Sequence, residues 1–337
     1  MSNQLSSLLV KELGEQGVLK ILQQFCPQSV IGDDAAVLSA PESGQSLVIT
    51  TDVLVDGVHF SDRTTSAEDV GWRATAANLS DLAAMGAYPL GITVGLSLTS
   101  DLAVSWVERL YQGITKCLEK YNSVVVGGDV CRSAVLTVSI TAFGQVDPHR
   151  ILRRATANVG DAIVVTGDHG ASRAGLELLL NPEFGKNLSQ LEYASLTQIH
   201  QRPQPRLDVL PILEQVVGES LTVTGMDSSD GLADAVVQIC RASGVGAIIH
   251  RDLLPLPPIL NKLVSPEEAC DWTLYGGEDF ELVLCLSPEP AQELVNKLGK
   301  DARIIGNITA GTEVLLKDRK GVQADLVLGI EGGFQHF

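Results

Sequence analysis

The chain has 337 residues, of which 45% are hydrophobic and 19% charged, and its formal net charge is −17. That length and balance describe a globular protein with ample core, enough for two domains, and exclude a disordered chain. The acidic surface argues against general DNA or RNA binding, which needs a basic footprint, and no run nears the roughly 18 apolar residues of a membrane span.

Met1 to Gly17 holds no long apolar stretch with a small-residue cleavage site, so no secretory signal is expected. Ser46 to Thr51 reads as a strand leading into Asp52. Ser66 followed by Asp69 resembles a capping box, and it opens a helix expected to run to about Met85 and stop at Gly86. Ile92 to Leu98 is a second strand, Val104 to Tyr121 an amphipathic helix, Val124 to Val126 a short buried strand and Val135 to Val146 a long one. Strands and helices here do not alternate strictly, so the first half is α+β. Asp147-Pro148 breaks the pattern, which places domains at 1–148 and 149–337.

The second half opens on a strand at Ala162 to Thr166, a turn at Gly167-Asp168-His169-Gly170 and a helix through Leu180. Helical patterns continue through Gln198 and from Leu207 to Val217. Leu221 to Thr224 is strand-like, Leu232 to Ala242 helical, and Val245 to Ile249, Glu281 to Leu286 and Ile304 to Ile308 are further strands. This half reads as α/β. The six cysteines are scattered with no CxxC pair, so free thiols in a reducing cytoplasm are expected.

Six short acidic motifs recur beside apolar runs: Gly32-Asp33-Asp34, Thr50-Thr51-Asp52, Asn78-Leu79-Ser80-Asp81, Gly127-Gly128-Asp129, Asp227-Ser228-Ser229-Asp230-Gly231 and Gly276-Gly277-Glu278-Asp279. A carboxylate beside a buried element is costly unless something cationic meets it. No lysine occurs in these motifs, so the expected counter-charge is a metal. Hard oxygen ligands suit magnesium, which binds through a few carboxylates plus substrate phosphates. Asp81 is the most telling: it shares the helix face of Val70, Ala74 and Ala77 and lies in the last turns, where the dipole disfavours an acid. A structural pairing with Arg73 is the alternative there. Asp230 sits where an N-cap would also be expected. Ser229 could meet a phosphate at that helix start, and the glycines before Asp129 either make a turn or admit a phosphate. His59 is either a general base or a structural residue beside Phe60. Arg154 is either solvated or a phosphate clamp. There is no G-x-x-x-x-G-K-[ST], no complete dinucleotide fingerprint, no G-x-S-x-G and no H-E-x-x-H.

Gly-Asp-Asp-Ala-Ala from residue 32, Thr-Thr-Asp-x-Leu-Val-x-Gly-x-His-Phe at 50–60 and Asn-Leu-Ser-Asp-Leu-Ala-Ala-Met-Gly-Ala at 78–87 resemble the thiamine-monophosphate kinase family. So do Gly-Gly-Asp at 127–129, Asp-Ser-Ser-Asp-Gly-Leu at 227–232, Gly-Gly-Glu-Asp-Phe-Glu-Leu at 276–282 and the final Gly-Phe-Gln-His-Phe. The family belongs to an aminoimidazole ribonucleotide synthetase-like superfamily that also holds selenophosphate synthetase and a hydrogenase maturation factor with a reactive C-terminal cysteine. This chain has no cysteine after Cys285.

The resemblance implies ATP-dependent phosphorylation of thiamine monophosphate to thiamine diphosphate, in a homodimer whose N-terminal sheets pair into a barrel. It implies several magnesium ions held by Asp34, Thr50, Thr51, Asp52, Asp81, Asp129, Asp227 and Asp230, with Asp34, Asp129 and Asp227 catalytic. It implies nucleotide contacts at Tyr111, Gly128, Arg154 and Ser229, and thiamine-phosphate contacts at His59, Glu278 and Phe334. Neither a nucleic-acid nor a membrane partner is expected. The rival readings are a ribonucleotide cyclo-ligase or selenophosphate synthetase type of relative, and a non-catalytic nucleotide-binding relative.

Overall fold

The computed structural model describes residues 8–27, 41–218, 222–300 and 302–333. Two units divide the chain: one ends at Asp147, and the other starts at Pro148 and also takes in Ala83–Gly86.

The first unit is built on a four-stranded sheet of β1 (Ser46–Val55), β2 (Tyr88–Leu98), β3 (Val125–Arg132) and β4 (Thr137–Val146), ordered β1-β4-β2-β3. β4 runs antiparallel to both β1 and β2, while β2 and β3 are parallel. A parallel pair needs a crossover, and the helix between them supplies it. The helices are α1 (Val10–Leu22), α2 (Ala67–Ala84) and α3 (Val104–Lys120). In β4 every second residue from Val138 to Val146 is buried, the period of a sheet covered on one face. That inner face packs against α2, where a Cβ on Gly144 would lie 2.9 Å from Leu82 Cδ2.

Ser66 opens α2 as expected: its hydroxyl lies 2.6 Å from Asp69 Oδ2 and accepts the Asp69 N–H at 3.3 Å. Gly86 ends that stretch at φ +73°, with its N–H on the Ala83 carbonyl and the Ala87 N–H on that of Leu82, a Schellman turn. One expectation fails here. Gly127-Gly128-Asp129 does not follow a strand but lies inside β3, which runs on to Arg132. The reason is steric. A Cβ on Gly128 would stand 2.1 Å from the Val94 carbonyl oxygen, so the glycine lets β3 approach β2.

The second unit carries a seven-stranded sheet of β5 (Ala162–Val165), β6 (Thr224–Asp227), β7 (Gly246–His250), β8 (Leu282–Leu286), β9 (Arg303–Thr309), β10 (Val314–Lys317) and β11 (Leu326–Val327). Their order is β11-β10-β7-β9-β5-β8-β6. β7 and β10 are parallel and the other neighbours antiparallel. β5, β6 and β8 are buried at every position, which needs cover on both faces.

The helices are α4 (Ala171–Leu180), α5 (Gln190–Gln201), α6 (Val209–Val217), α7 (Leu232–Ser243), α8 (Pro266–Tyr275) and α9 (Pro288–Leu298). The main core joins α7 to the sheet through residues such as Val236, Ile239, Val283 and Ile305. A smaller core ties α4 to its neighbours through Ala174, Leu178, Leu196 and Ala269. β6 starts at Thr224, where the sequence pattern would end it, so Asp227 is a strand residue. The architecture is the expected one, an α+β unit followed by helices layered on a mixed sheet.

Candidate active site

In the first unit, alternation along β1 sends neighbouring motif residues to opposite faces. Thr50 and Asp52 face inward, in register with the buried Ala142 and Ile140. The Thr50 hydroxyl donates to the Asp81 carboxylate on α2, which ties the second acidic motif to the third. Asn78, on the same helix, is fully buried and donates to the Ala74 carbonyl at 2.9 Å. Its Oδ1 has no hydrogen-bond partner among the described residues.

Thr51 points outward and its hydroxyl lies 2.8 Å from that of Thr141. Asp129 is exposed and in register with Gly95, so it shares the outer face with Thr51. The expected metal set of this unit is therefore divided between two faces of one sheet.

His59 sits in the turn after β1. Its Nδ1 accepts the Val55 N–H at 3.0 Å, so the neutral ring carries its proton on Nε2. Phe60 next to it is buried and stacks on Trp106 at 6.4 Å, which anchors the turn. Tyr111, expected at the nucleotide, is 3% exposed and packs on Phe25 with ring centroids 5.5 Å apart. Burial pushes its phenol well above the ordinary range. Asp34 and Phe334 lie outside the described residues.

In the second unit, Asp227 ends β6 at 3% exposure and accepts the Ser229 hydroxyl at 3.2 Å. Asp230 is exposed and is not the helix cap. Gly231, at φ +108°, is the N-cap of α7, because the chain turns there more sharply than an aspartate readily allows. Arg154 is exposed and donates to Gln238 Oε1 on α7 at 2.8 Å. Ser243 on that helix donates to the Arg154 carbonyl at 2.8 Å.

The two acidic motifs of this unit, some fifty residues apart, are joined through the backbone. The Glu278 N–H donates to the Ser229 carbonyl at 2.7 Å, and the Ser228 N–H to that of Glu281 at 2.9 Å. Gly333 follows alongside: a Cβ there would be 3.3 Å from the Asp230 carbonyl.

Glu278 and Phe280 both hold positive φ, +65° and +53°, a conformation non-glycine residues adopt only where their surroundings enforce it. The residue between them does the enforcing. Asp279 is buried and accepts the Gly170 N–H at 2.6 Å and the Ser172 N–H at 2.9 Å, so it caps α4 from a distant segment. Burial pushes its carboxyl up to about 7, against those two donors. Glu281 is anchored by Arg206 Nη1 and the Thr166 hydroxyl, each at 2.5 Å.

Sequence reasoning missed His200, Ser172 and Arg206. None lies in an acidic motif, and only the packing of α4, α5 and the following turn brings them to this loop.

Among the described residues, no three His, Cys, Asp or Glu side chains assemble into a metal cage. The donors that do meet are hard oxygens in small sets: Thr50 with Asp81, and Asp227 with Ser229. The orphaned Asn78 Oδ1 adds a buried acceptor on the helix that carries Asp81. This chemistry fits magnesium that takes one or two carboxylates from the protein and the rest of its shell from phosphates and water.

Family models for AIR synthase related protein match the chain twice, the N-terminal domain at residues 32–146 and the C-terminal domain at 158–318. The chain is 51% identical to the thiamine-monophosphate kinase of Synechococcus elongatus over 336 residues, 99% of both chains. It is 38% identical to that of Escherichia coli K12 over 310 residues, 91% of each.

Among solved structures, the thiamine-monophosphate kinase of Stenotrophomonas maltophilia superposes with a TM-score of 0.76 at 33% identity, covering 89% of this chain and 94% of its own. AaThiL complexed with AMPPCP and TMP gives 0.72 at 33%, covering 95% and 98%. The hydrogenase maturation protein HypE of E. coli gives 0.75 at 19% identity, covering 93% and 96%, which speaks for the fold alone.

Proposed function

The chain belongs to the thiamine-monophosphate kinase family, and from that premise we propose how its residues carry out the ATP-dependent phosphorylation of thiamine monophosphate to thiamine diphosphate, the last step of thiamine diphosphate biosynthesis. The observation that carries the residue assignments is the gathering of acidic motifs within each unit. Thr50 bonds Asp81 in the first, and Glu278 bonds the Asp227–Asp230 turn in the second.

The acceptor is itself a phosphate monoester, largely dianionic at pH 7 with a second pKa of about 6. No general base is needed to make the nucleophile. The difficulty is bringing two polyanions together, since unit charges 4 Å apart repel by about 4 kcal/mol at an effective dielectric of 20. Magnesium, when bound, offsets that repulsion and favours direct in-line transfer. Asp34, Thr50, Thr51, Asp52, Asp81, Asp129, Asp227 and Asp230 are the residues we assign to hold it, with Asp34, Asp129 and Asp227 assigned the catalytic role. Tyr111, Gly128, Arg154 and Ser229 are assigned to the nucleotide. His59, Glu278 and Phe334 are assigned to thiamine phosphate, where Glu278 would face the aminopyrimidine or the cationic thiazolium and Phe334 would stack on a ring.

In this reading residues 1–148 form the ATP- and metal-binding, dimerising domain, and 149–337 form the C-terminal α/β domain. Support for a homodimer comes from the outer face of the first sheet, where Leu47, Ile49 and Val53 are about half exposed in one row. Six free cysteines fit a reducing cytoplasm.

Mass spectrometry of the protein with ATP, magnesium and thiamine monophosphate tests the reading. Thiamine diphosphate and ADP should form one to one, and both should vanish with EDTA or in a folded Asp227→Asn variant. No product from the intact protein, or full turnover by that variant, overturns the reaction or the metal assignment respectively.

A further inference from the structure

α5 lies unusually close to α4. A Cβ on Gly175 would stand 2.2 Å from the Leu196 carbonyl oxygen and 2.9 Å from His200 Cβ. That approach places His200, which is 2% exposed, over the first turn of α4. Its Nδ1 is 3.1 Å from the Ser172 hydroxyl and 3.6 Å from Glu278 Oε2.

The other side of the same turn is fixed by Asp279, whose carboxyl oxygens accept the backbone N–H groups of Gly170 and Ser172. Glu278 is therefore held at three points: its strained backbone by Ser229, its chain neighbour by α4, and its carboxylate beside His200. The nitrogen that meets the Ser172 hydroxyl is the same one that faces the Glu278 carboxylate, so Nδ1 links the first turn of α4 to Glu278. The Glu278 side chain remains 36% exposed, so a ligand can reach its carboxylate from solvent.

We propose that His200 is a positioning residue for Glu278, aiming the carboxylate that receives the thiamine end of the acceptor. This rests on the assignment of Glu278 to thiamine phosphate made above. Asparagine and glutamine separate the role of Nδ1 from bulk and polarity, because the asparagine amide reaches the place of Nδ1 and the glutamine amide that of Nε2.

Steady-state kinetics on the full chain, with melting curves to certify folding, compare His200→Asn, His200→Gln, Glu278→Ala and the His200→Gln/Glu278→Ala double variant. His200→Gln should raise the KM for thiamine monophosphate by about tenfold and leave that for ATP within about twofold. His200→Asn should restore most of the loss, and the double variant should be no worse than Glu278→Ala alone. A folded His200→Gln enzyme with an unchanged thiamine-monophosphate KM, while Glu278→Ala raises it, overturns the positioning role and spares the substrate assignment. Equal defects in His200→Asn and His200→Gln overturn it as well. An unchanged KM in Glu278→Ala removes the substrate assignment and the proposal with it.

Discussion

Two buried groups in the second unit respond to pH in opposite directions. His169 is fully buried, with Nδ1 donating to the Gly167 carbonyl at 3.1 Å and Nε2 2.9 Å from the Ser228 hydroxyl. Burial, reinforced by Arg303, lowers its pKa to about 4 despite the Gly167 bond. Between the ordinary value near 6.5 and about 4, the unfolded chain binds a proton that the folded one refuses. The histidine's contribution is thus present above pH 6.5 and lost as pH falls, by about 3 kcal/mol at most. Asp279 runs the other way. Its carboxyl, raised to about 7, stays protonated in the fold while the unfolded chain ionises, so its contribution is lost as pH rises from about 4 to 7. Urea unfolding of wild type and His169→Asn should show a stability difference that shrinks or reverses from pH 7 to pH 4.5. A difference independent of pH would show that His169 titrates normally.

At the scale of elements, close backbone approach matters more than side-chain chemistry at several glycines. Gly71 and Gly113 let α2 and α3 cross, since a Cβ on either would lie 2.0 or 1.8 Å from a carbonyl oxygen of the other helix. In β3 the same argument separates two adjacent glycines. A Cβ on Gly128 meets Val94 backbone at 2.1 Å, whereas one on Gly127 meets only Thr93 Cγ2 at 3.8 Å. Gly128→Ala should cost about 2 kcal/mol or more through forced separation of β2 and β3, and Gly127→Ala should cost little. Thermal melts of the two variants check this, and equal melting points would mean that the strand pair yields freely. A nucleotide role for Gly128 and its strand-packing role are compatible, because both need backbone that carries no Cβ.

For the whole molecule, the outer face of the first sheet is the feature that a single chain leaves unexplained. Leu47, Ile49 and Val53 expose between 47% and 57% of their surface in one row of β1, with Thr51 between them. Apolar rows of this kind mark association surfaces. Ile49→Asp should shift the protein from dimer to monomer in sedimentation velocity. Leu191→Asp, on α5 at 84% exposure, should leave the mass unchanged. A monomeric wild type, or a dimer indifferent to Ile49→Asp, would remove the sheet face from the interface.

Much of this was legible in the chain itself. The capping box at Ser66 and the stop at Gly86 are local, and so could be read from neighbours in sequence. The acidic motifs declared themselves because carboxylates beside apolar runs are costly without a partner. The extent of β3 was not legible, since Gly127-Gly128 reads as a turn until Val94 is known to press against it. Nor was the cap of α4, which comes from Asp279 more than a hundred residues away. The same holds for the division of Thr50 and Thr51 between two faces, which depends on the register with β4, and for the meeting of His200 with Glu278. Composition and periodicity determined the fold class, and short motifs carried the family resemblance that implied the candidate ligands, because each is fixed by residues near one another in the chain. Which of those residues share a face, and what holds them there, was decided only by tertiary packing, which joins segments with no local relation.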